Sequence, residues 1–262
     1  MVIIRNIPGI MKILGSLPGL ATYKRNIDAA RAAGDIEKEK ENILGATIKW
    51  GNYLVDRFGI DLTVYGRENL PDEGPVVYVC NHQGYADIPI LCAVLDKFQV
   101  GFIAKDNLKQ LPLYGTWMRR IRSVMIKRDD PRASLQAISE GVEYIKQGFS
   151  LIIFPEGTRS KDNEVHEFKK GSLKLATKPG VPIVPLTING SRGIYEDTGV
   201  LRPGKVDVLI HPPVPTAGMS RQEEKELTEK MEKIVSDGLE ELKTLRYRDE
   251  NKDSQGSLAQ EG

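Results

Sequence analysis

Between Asn81 and Asp87 the chain reads Asn81-His82-Gln83-Gly84-Tyr85-Ala86-Asp87, which places an imidazole and a carboxylate five residues apart. The run follows Val76 to Cys80, an apolar stretch expected as a buried strand. An imidazole is ordinarily neutral near pH 7 and can take up a proton. A carboxylate on one ring nitrogen fixes the tautomer and stabilises the imidazolium, while the other nitrogen faces a hydroxyl. This is the logic of a Ser-His-Asp triad with a substrate alcohol in place of the protein's own serine. Two plainer readings stand beside it: Asp87 caps a helix starting at Ile88, or His82 is a buried polar group with its hydrogen bonds met.

A second stretch, Phe154-Pro155-Glu156-Gly157-Thr158-Arg159-Ser160, gives that pair something to act on. Gly157 permits a close approach or an unusual backbone angle. Arg159 offers a planar fork that matches two phosphate oxygens, with a salt bridge to Glu156 or Glu164 as the plainer alternative. No Walker phosphate loop is present, so nucleotide hydrolysis is not indicated. Lys105, Lys109, Arg119, Arg120, Arg122, Lys127, Arg128 and Arg132 crowd one stretch. They form either an anion-binding region or a solvated helix face.

Strands must deliver both stretches to one place. From Asp61 onward, short β-rich runs alternate with helical ones, with strands expected over 62–65, 76–80, 100–104, 124–126, 151–154, 183–188 and 206–210. Helices are expected over 88–95, from Pro131 to a stop at Gly148, over 168–178, and over a long C-terminal stretch marked by Leu227, Met231, Ile234, Leu242 and Leu245. The alternation predicts an α/β fold with a mixed, mostly parallel central sheet flanked by helices. In such sheets function gathers on loops beyond strand ends, and the loops starting at Asn81, Lys105, Pro155 and Asn189 all follow buried runs.

Residues 1–60 read as an N-terminal amphipathic helical appendage. Ile10, Met11, Ile13, Leu14 and Leu17 stand with Lys12 between Pro8 and Pro18, as one short apolar, basic helix suited to a membrane interface. A longer helix follows Asp35, an expected N-cap, with Leu44, Ile48, Val55 and Phe58 on one stripe widened by Ile43, Trp50 and Leu54. That stripe serves either packing against the core or partial insertion into lipid. Residues 61–248 make the α/β domain, and 249–262 are expected as a polar tail without regular structure.

The totals narrow the partners. With 262 residues, 40% hydrophobic, 28% charged and a net charge of +1, the chain has the composition of a globular domain, and nothing in it points to nucleic acid. Cys80 and Cys92 are too few for a disulfide framework and sit among apolar neighbours, as buried thiols in a reducing compartment do. The first residues lack the pattern of a signal peptide, and no window approaches the roughly eighteen apolar residues of a spanning helix. Work at a membrane would therefore be done from its surface. His82, His166 and His211 lack metal-ligand spacing, so no metal or other cofactor is expected.

Four stretches together carry a resemblance. Asn81-His82 with Asp87, Phe154 through Arg159, Phe168-Lys169-Lys170-Gly171, and Val181-Pro182-Ile183-Val184-Pro185 stand in the order and spacing of the glycerolipid acyltransferases. From about Val64 to Pro213 the chain resembles the bacterial 1-acylglycerol-3-phosphate acyltransferases of that family, and its N-terminal helices look like the membrane-docking helices of members without spanning segments. The resemblance implies transfer of a fatty acyl group from acyl-CoA or acyl-acyl-carrier protein to the 2-hydroxyl of 1-acylglycerol 3-phosphate (lysophosphatidic acid), giving phosphatidic acid in phospholipid biosynthesis; the alternatives are the same chemistry on glycerol 3-phosphate or another lysophospholipid, and a lipid-binding protein without catalysis. It implies His82 as general base with Asp87 orienting it, and Glu156, Gly157, Thr158 and Arg159 as acceptor-binding residues, with Arg159 on the phosphate. Lys105 and Arg128 match the family's second motif as further contacts, and a peripheral place on the cytoplasmic face of the cell membrane is implied. Gly84 departs from the family's small hydroxyl residue, Asp106-Asn107 from a basic and acidic pair, and Arg122 from a common glycine. These departures bear on the acceptor more than on the reaction.

Overall fold

The structure, a computed structural model, describes residues 2–110, 113–127 and 130–258. Among them, seven strands form one sheet: β1 (Ile60–Tyr65), β2 (Val77–Cys80), β3 (Val100–Lys105), β4 (Val124–Ile126), β5 (Ser150–Ile153), β6 (Ile183–Asn189) and β7 (Gly204–Ile210). Their order is β1-β7-β6-β2-β5-β3-β4. β6 and β7 pair antiparallel, and every other neighbouring pair is parallel. The C-terminal ends of β2, β3, β4, β5 and β6 therefore share one edge of the sheet, and the loops after Cys80, Lys105, Ile153 and Asn189 leave from it.

The helices are α1 (Val2–Ser16), α2 (Ala21–Ala33), α3 (Ile36–Phe58), α4 (Asp87–Val94), α5 (Tyr114–Arg120), α6 (Pro131–Lys146), α7 (Lys174–Thr177), α8 (Arg192–Tyr195) and α9 (Arg221–Leu258). Because side chains alternate along a strand, the central strands bury both faces. Tyr78 and Cys80 of β2 join Ile43 and Leu54 of α3 and Ile90 and Leu91 of α4 in one core. Val77 and Val79 face the opposite way, toward Val142 and Ile145 of α6 and Met231 and Val235 of α9. The result is the expected three-layer α/β arrangement with a mixed, mostly parallel sheet.

α3 is set by its cap and by one glycine. The Asp35 side chain accepts from the Lys38 N–H at 3.0 Å, the predicted N-cap. At Gly51 an added Cβ would lie 2.6 Å from the Pro89 carbonyl oxygen and 2.5 Å from the Ala93 nitrogen, so only glycine lets α3 approach α4 this closely. The buried stripe of α3 runs through Ile43, Ala46, Gly51, Leu54 and Phe58, while Leu44, Ile48 and Val55 lie half-buried along its flank. The predicted stripe is thus rotated toward the small residues that α4 packs on.

Three expectations are corrected. α1 starts at Val2 and passes through Pro8, so the helix is not confined between the two prolines; it forgoes the hydrogen bond that the missing Pro8 N–H would make. The helix predicted over 168–178 is reduced to α7, because Phe168 and Lys169 have no regular structure and Lys170 through Leu173 form turns around Gly171, whose φ is +90°. α9 continues to Leu258, past the boundary at 249, through residues with no proline to stop it. No helix among the described residues is long and apolar enough to cross a membrane.

Candidate active site

His82 and Asp87 meet as the spacing predicts. The loop after β2 turns back so that His82 Nδ1 lies 2.7 Å from Asp87 Oδ2. The same oxygen accepts from the backbone N–H groups of Gln83 at 2.8 Å and Gly84 at 3.0 Å, and Oδ1 accepts from the Ser191 hydroxyl. An oxygen surrounded by backbone donors acts as an acceptor, so Nδ1 carries the proton and Nε2 presents its lone pair. Asp87 is fully buried, and the His82 side chain is 15% exposed. The imidazole stacks on Phe154 with centroids 4.1 Å apart, which fixes its plane. Asp87 is the first residue of α4 and makes no capping hydrogen bond to it, since its backbone donors, Gln83 and Gly84, precede the helix; its carboxylate serves His82 and the loop after β2 rather than the helix start.

The loop after β5 is stitched to the His82 backbone at two points. The Glu156 carboxylate accepts from the His82 N–H at 2.8 Å through Oε1 and from the His166 N–H at 3.2 Å through Oε2. The Ser160 N–H donates to the His82 carbonyl at 2.7 Å. Burial pushes the Glu156 carboxyl up from its ordinary value, and the backbone N–H groups of His82 and His166 pull against that. Glu156 thus braces the loop from behind, where the resemblance implied an acceptor-binding residue. Gly157 turns the chain at φ +72°, and an added Cβ there would lie 2.7 Å from the Lys169 Nζ.

Around this frame opens a cleft of about 650 Å³. His82, Lys105, Thr158 and Arg159 all line it, so residues from three strand ends converge as predicted. The Arg159 guanidinium lies 3.9 Å from the Tyr85 ring centroid and donates through Nη1 to Glu196 Oε1 at 2.8 Å. Its ion-pair partner is therefore Glu196, not Glu156 or Glu164. Arg128 lies outside the described residues. An apolar pocket of about 180 Å³ adjoins the cleft and shares Ile13, Trp50, Ile88, Phe102, Tyr114 and Met118 with it. Burial pushes the Cys92 thiol up to about 12 and the Cys80 thiol well above its usual range, so neither is poised as a nucleophile.

Several supporting contacts have no role assigned from the sequence. The Asn81 amide bridges the backbone of Ile188 in both directions, at 2.9 and 2.8 Å, and so locks the loop after β2 to β6. Gln83 Oε1 accepts from the Gly190 N–H at 2.9 Å. Ser191 completes the environment of Asp87 from a loop recognised only as part of the rim.

The chain is similar to known proteins over the segment that builds this site. A family model described as Acyltransferase matches residues 61–189, from β1 to the end of β6. A chloroplastic 1-acyl-sn-glycerol-3-phosphate acyltransferase of Brassica napus is 40% identical over 154 residues, covering 58% of this chain and 44% of the relative. The 1-acyl-sn-glycerol-3-phosphate acyltransferase of Saccharomyces cerevisiae is 32% identical over 190 residues, covering 70% of this chain and 61% of the relative. This chain therefore spans less than half the length of the plant relative. The crystal structure of the 1-acyl-sn-glycerophosphate (LPA) acyltransferase PlsC from Thermotoga maritima has a TM-score of 0.70 and 32% identity, covering 90% of this chain and 98% of that one. With the His82-to-Asp87 and Phe154-to-Arg159 stretches brought to one sheet edge and a relative matched over nearly its whole length, this chain belongs to the acyltransferase family.

Proposed function

We propose that this chain transfers a fatty acyl group from a thioester, acyl-CoA or acyl-acyl-carrier protein, to the 2-hydroxyl of 1-acylglycerol 3-phosphate, forming phosphatidic acid. The observation that carries the reading is His82: Asp87 holds its Nδ1, and the ring lines a cleft that is cationic at Arg159 and Lys105 and adjoins an apolar pocket. In this reading Nε2 removes the hydroxyl proton as the oxygen attacks the thioester carbonyl. A C–O bond forms, the tetrahedral intermediate collapses with loss of the C–S bond, and the imidazolium returns the proton to the departing thiolate. The glycerol hydroxyl is the nucleophile, so no acyl-enzyme forms.

The Nε–Nη2 edge of Arg159 receives the phosphate, beside Thr158. Lys105 serves the phosphate or the developing oxyanion, and Arg128 is a further phosphate contact by its place in the sequence motif. The apolar pocket takes a fatty chain. No cofactor or metal enters the reaction so written. The enzyme works peripherally, at the cytoplasmic face of a membrane that holds its acceptor, with α1 against the lipid.

The test is turnover of lysophosphatidic acid by purified protein with acyl-CoA and with acyl-acyl-carrier protein, side by side, and with glycerol 3-phosphate as a second acceptor. Phosphatidic acid is expected with at least one donor, and His82→Ala is expected to lower kcat by ~10²–10⁴-fold. Absence of product from lysophosphatidic acid with both donors would overturn the reading, and product only from glycerol 3-phosphate would move it to that acceptor.

A further inference from the structure

We propose that Glu196 is a positioning residue that sets Arg159 for the acceptor's phosphate, and that Gly84 supplies the space in which its carboxylate sits. The proposal rests on the reading of Arg159 as the phosphate contact. Glu196 follows α8 directly, and its side chain is 9% exposed. Its Oε1 accepts from Arg159 Nη1 at 2.8 Å and from the Tyr85 N–H at 2.9 Å. The Tyr85 ring lies under the guanidinium at 3.9 Å. One edge and one face of the guanidinium are therefore fixed from a single point on the loop after β2. The Nε–Nη2 edge remains for a ligand. An arginine otherwise loses considerable rotamer freedom on binding, so fixing it in advance lowers the ordering cost of holding a phosphate.

Gly84 is what lets Glu196 reach this point. An added Cβ at 84 would lie 2.4 Å from Glu196 Oε2 and 2.9 Å from its Cδ. Any larger residue there must displace the carboxylate. Oε2 is buried without a hydrogen-bond partner, so this oxygen is held by packing against Gly84 while Oε1 makes the bonds. Gly84 and Glu196 are thus complementary in shape, and the glycine that departs from the family's hydroxyl residue has a counterpart across the site. Neither residue lines the cleft, so Glu196 acts on the acceptor only through Arg159.

Steady-state kinetics with lysophosphatidic acid and the active donor test this. Glu196→Ala is expected to raise the acceptor KM about tenfold, the loss of one hydrogen bond to a charged group. Its kcat and donor KM are expected to stay within about twofold of the parent. Glu196→Gln keeps an oxygen at Oε1 and is expected to recover most of the loss. In an Arg159→Ala background, Glu196→Ala is expected to add nothing. Gly84→Ser is expected to raise the acceptor KM, and Gly84→Ser with Glu196→Ala to be no worse than Glu196→Ala alone. An unchanged acceptor KM in Glu196→Ala while Arg159→Ala raises it overturns the positioning role alone. An unchanged acceptor KM in Arg159→Ala removes the phosphate reading and the proposal with it. An effect of Glu196→Ala that persists in Arg159→Ala, or that lowers kcat and melting temperature together, assigns Glu196 a structural role instead.

Discussion

Asp87 accepts four hydrogen bonds, and three of them come from residues within five positions along the chain. The fourth, from Ser191, arrives from 104 residues away. That difference explains what could be read in advance. A His and an Asp at close spacing after a strand are a local pattern, whereas nothing in the sequence around Asn189-Gly190-Ser191 names Asp87 as a partner. Glu196 was missed for the same reason, lying 37 residues from Arg159. Ser191→Ala leaves Asp87 Oδ1 buried without its donor and loosens the carboxylate that fixes the His82 tautomer. The expected outcome is a kcat lowered about five- to thirtyfold, the acceptor KM within about twofold, and a loss of about 1–3 kcal/mol of stability. Ser191→Thr keeps the hydroxyl and should retain most of both. Kinetics and chemical denaturation of the two variants check this; a Ser191→Ala enzyme with parental kcat removes Ser191 from the catalytic support.

At the scale of elements, the strands and the longer helices were legible because burial on both faces produces continuous apolar runs, and because Asp35 and Pro131 mark helix starts. α2, α5 and α8 carry no such signal; they are held by tertiary partners. The clearest case is Glu39 of α3, whose side chain is 2% exposed. It accepts from Arg122 at 2.7 Å through both oxygens, and from Arg31 of α2 at 2.9 and 2.6 Å. Arg31 also donates to the Arg120 carbonyl at 2.6 Å. Arg122 has φ +60°, which accounts for a position where the family commonly has glycine, and it does not line the cleft. That departure therefore concerns how the N-terminal helices are fastened, not which acceptor binds. Burial alone would raise the Glu39 carboxyl, but the hydrogen bonds from Arg122 and Arg31 outweigh it and hold it below its ordinary value of 4.5. A depressed folded value means this stabilisation is present above about pH 4.5 and is lost as the pH falls below it. Glu39→Gln is expected to cost about 2–4 kcal/mol, because two guanidiniums lose their shared anion. Urea denaturation at pH 7 and pH 4 should show a smaller difference from the parent at the lower pH. An equal difference at both would remove the carboxylate as the cause.

For the whole molecule, the arrangement of α1 decides how a lipid substrate is met. α1 is tied to the domain by the Asn6 side chain, which donates to the Gly199 carbonyl at 2.7 Å and accepts from the Leu201 N–H at 3.2 Å. Farther along, Lys12 donates to the Arg57 carbonyl at 2.5 Å. Asn6 and Ile13 both line the cleft, so α1 is a wall of the site as well as a surface element. On its outer side Met11 is 61% exposed, while Leu14 and Leu113, which line the apolar pocket, are 46% and 56% exposed at its mouth. Large apolar side chains gathered at the mouth of an apolar pocket are unfavourable in water and suited to a lipid interface. Deleting residues 1–20 would also strip Leu17 and Leu20 from that pocket, so point substitutions test docking more cleanly. Burying one such side chain is worth roughly 1.5 kcal/mol or more. Met11→Ser is therefore expected to weaken binding to vesicles of phosphatidylcholine and phosphatidylglycerol by about tenfold, with the melting temperature unchanged because the side chain faces outward and lines neither the cleft nor the pocket. Co-sedimentation equal to the parent's would show that α1 is a wall of the site and not the element that meets the membrane.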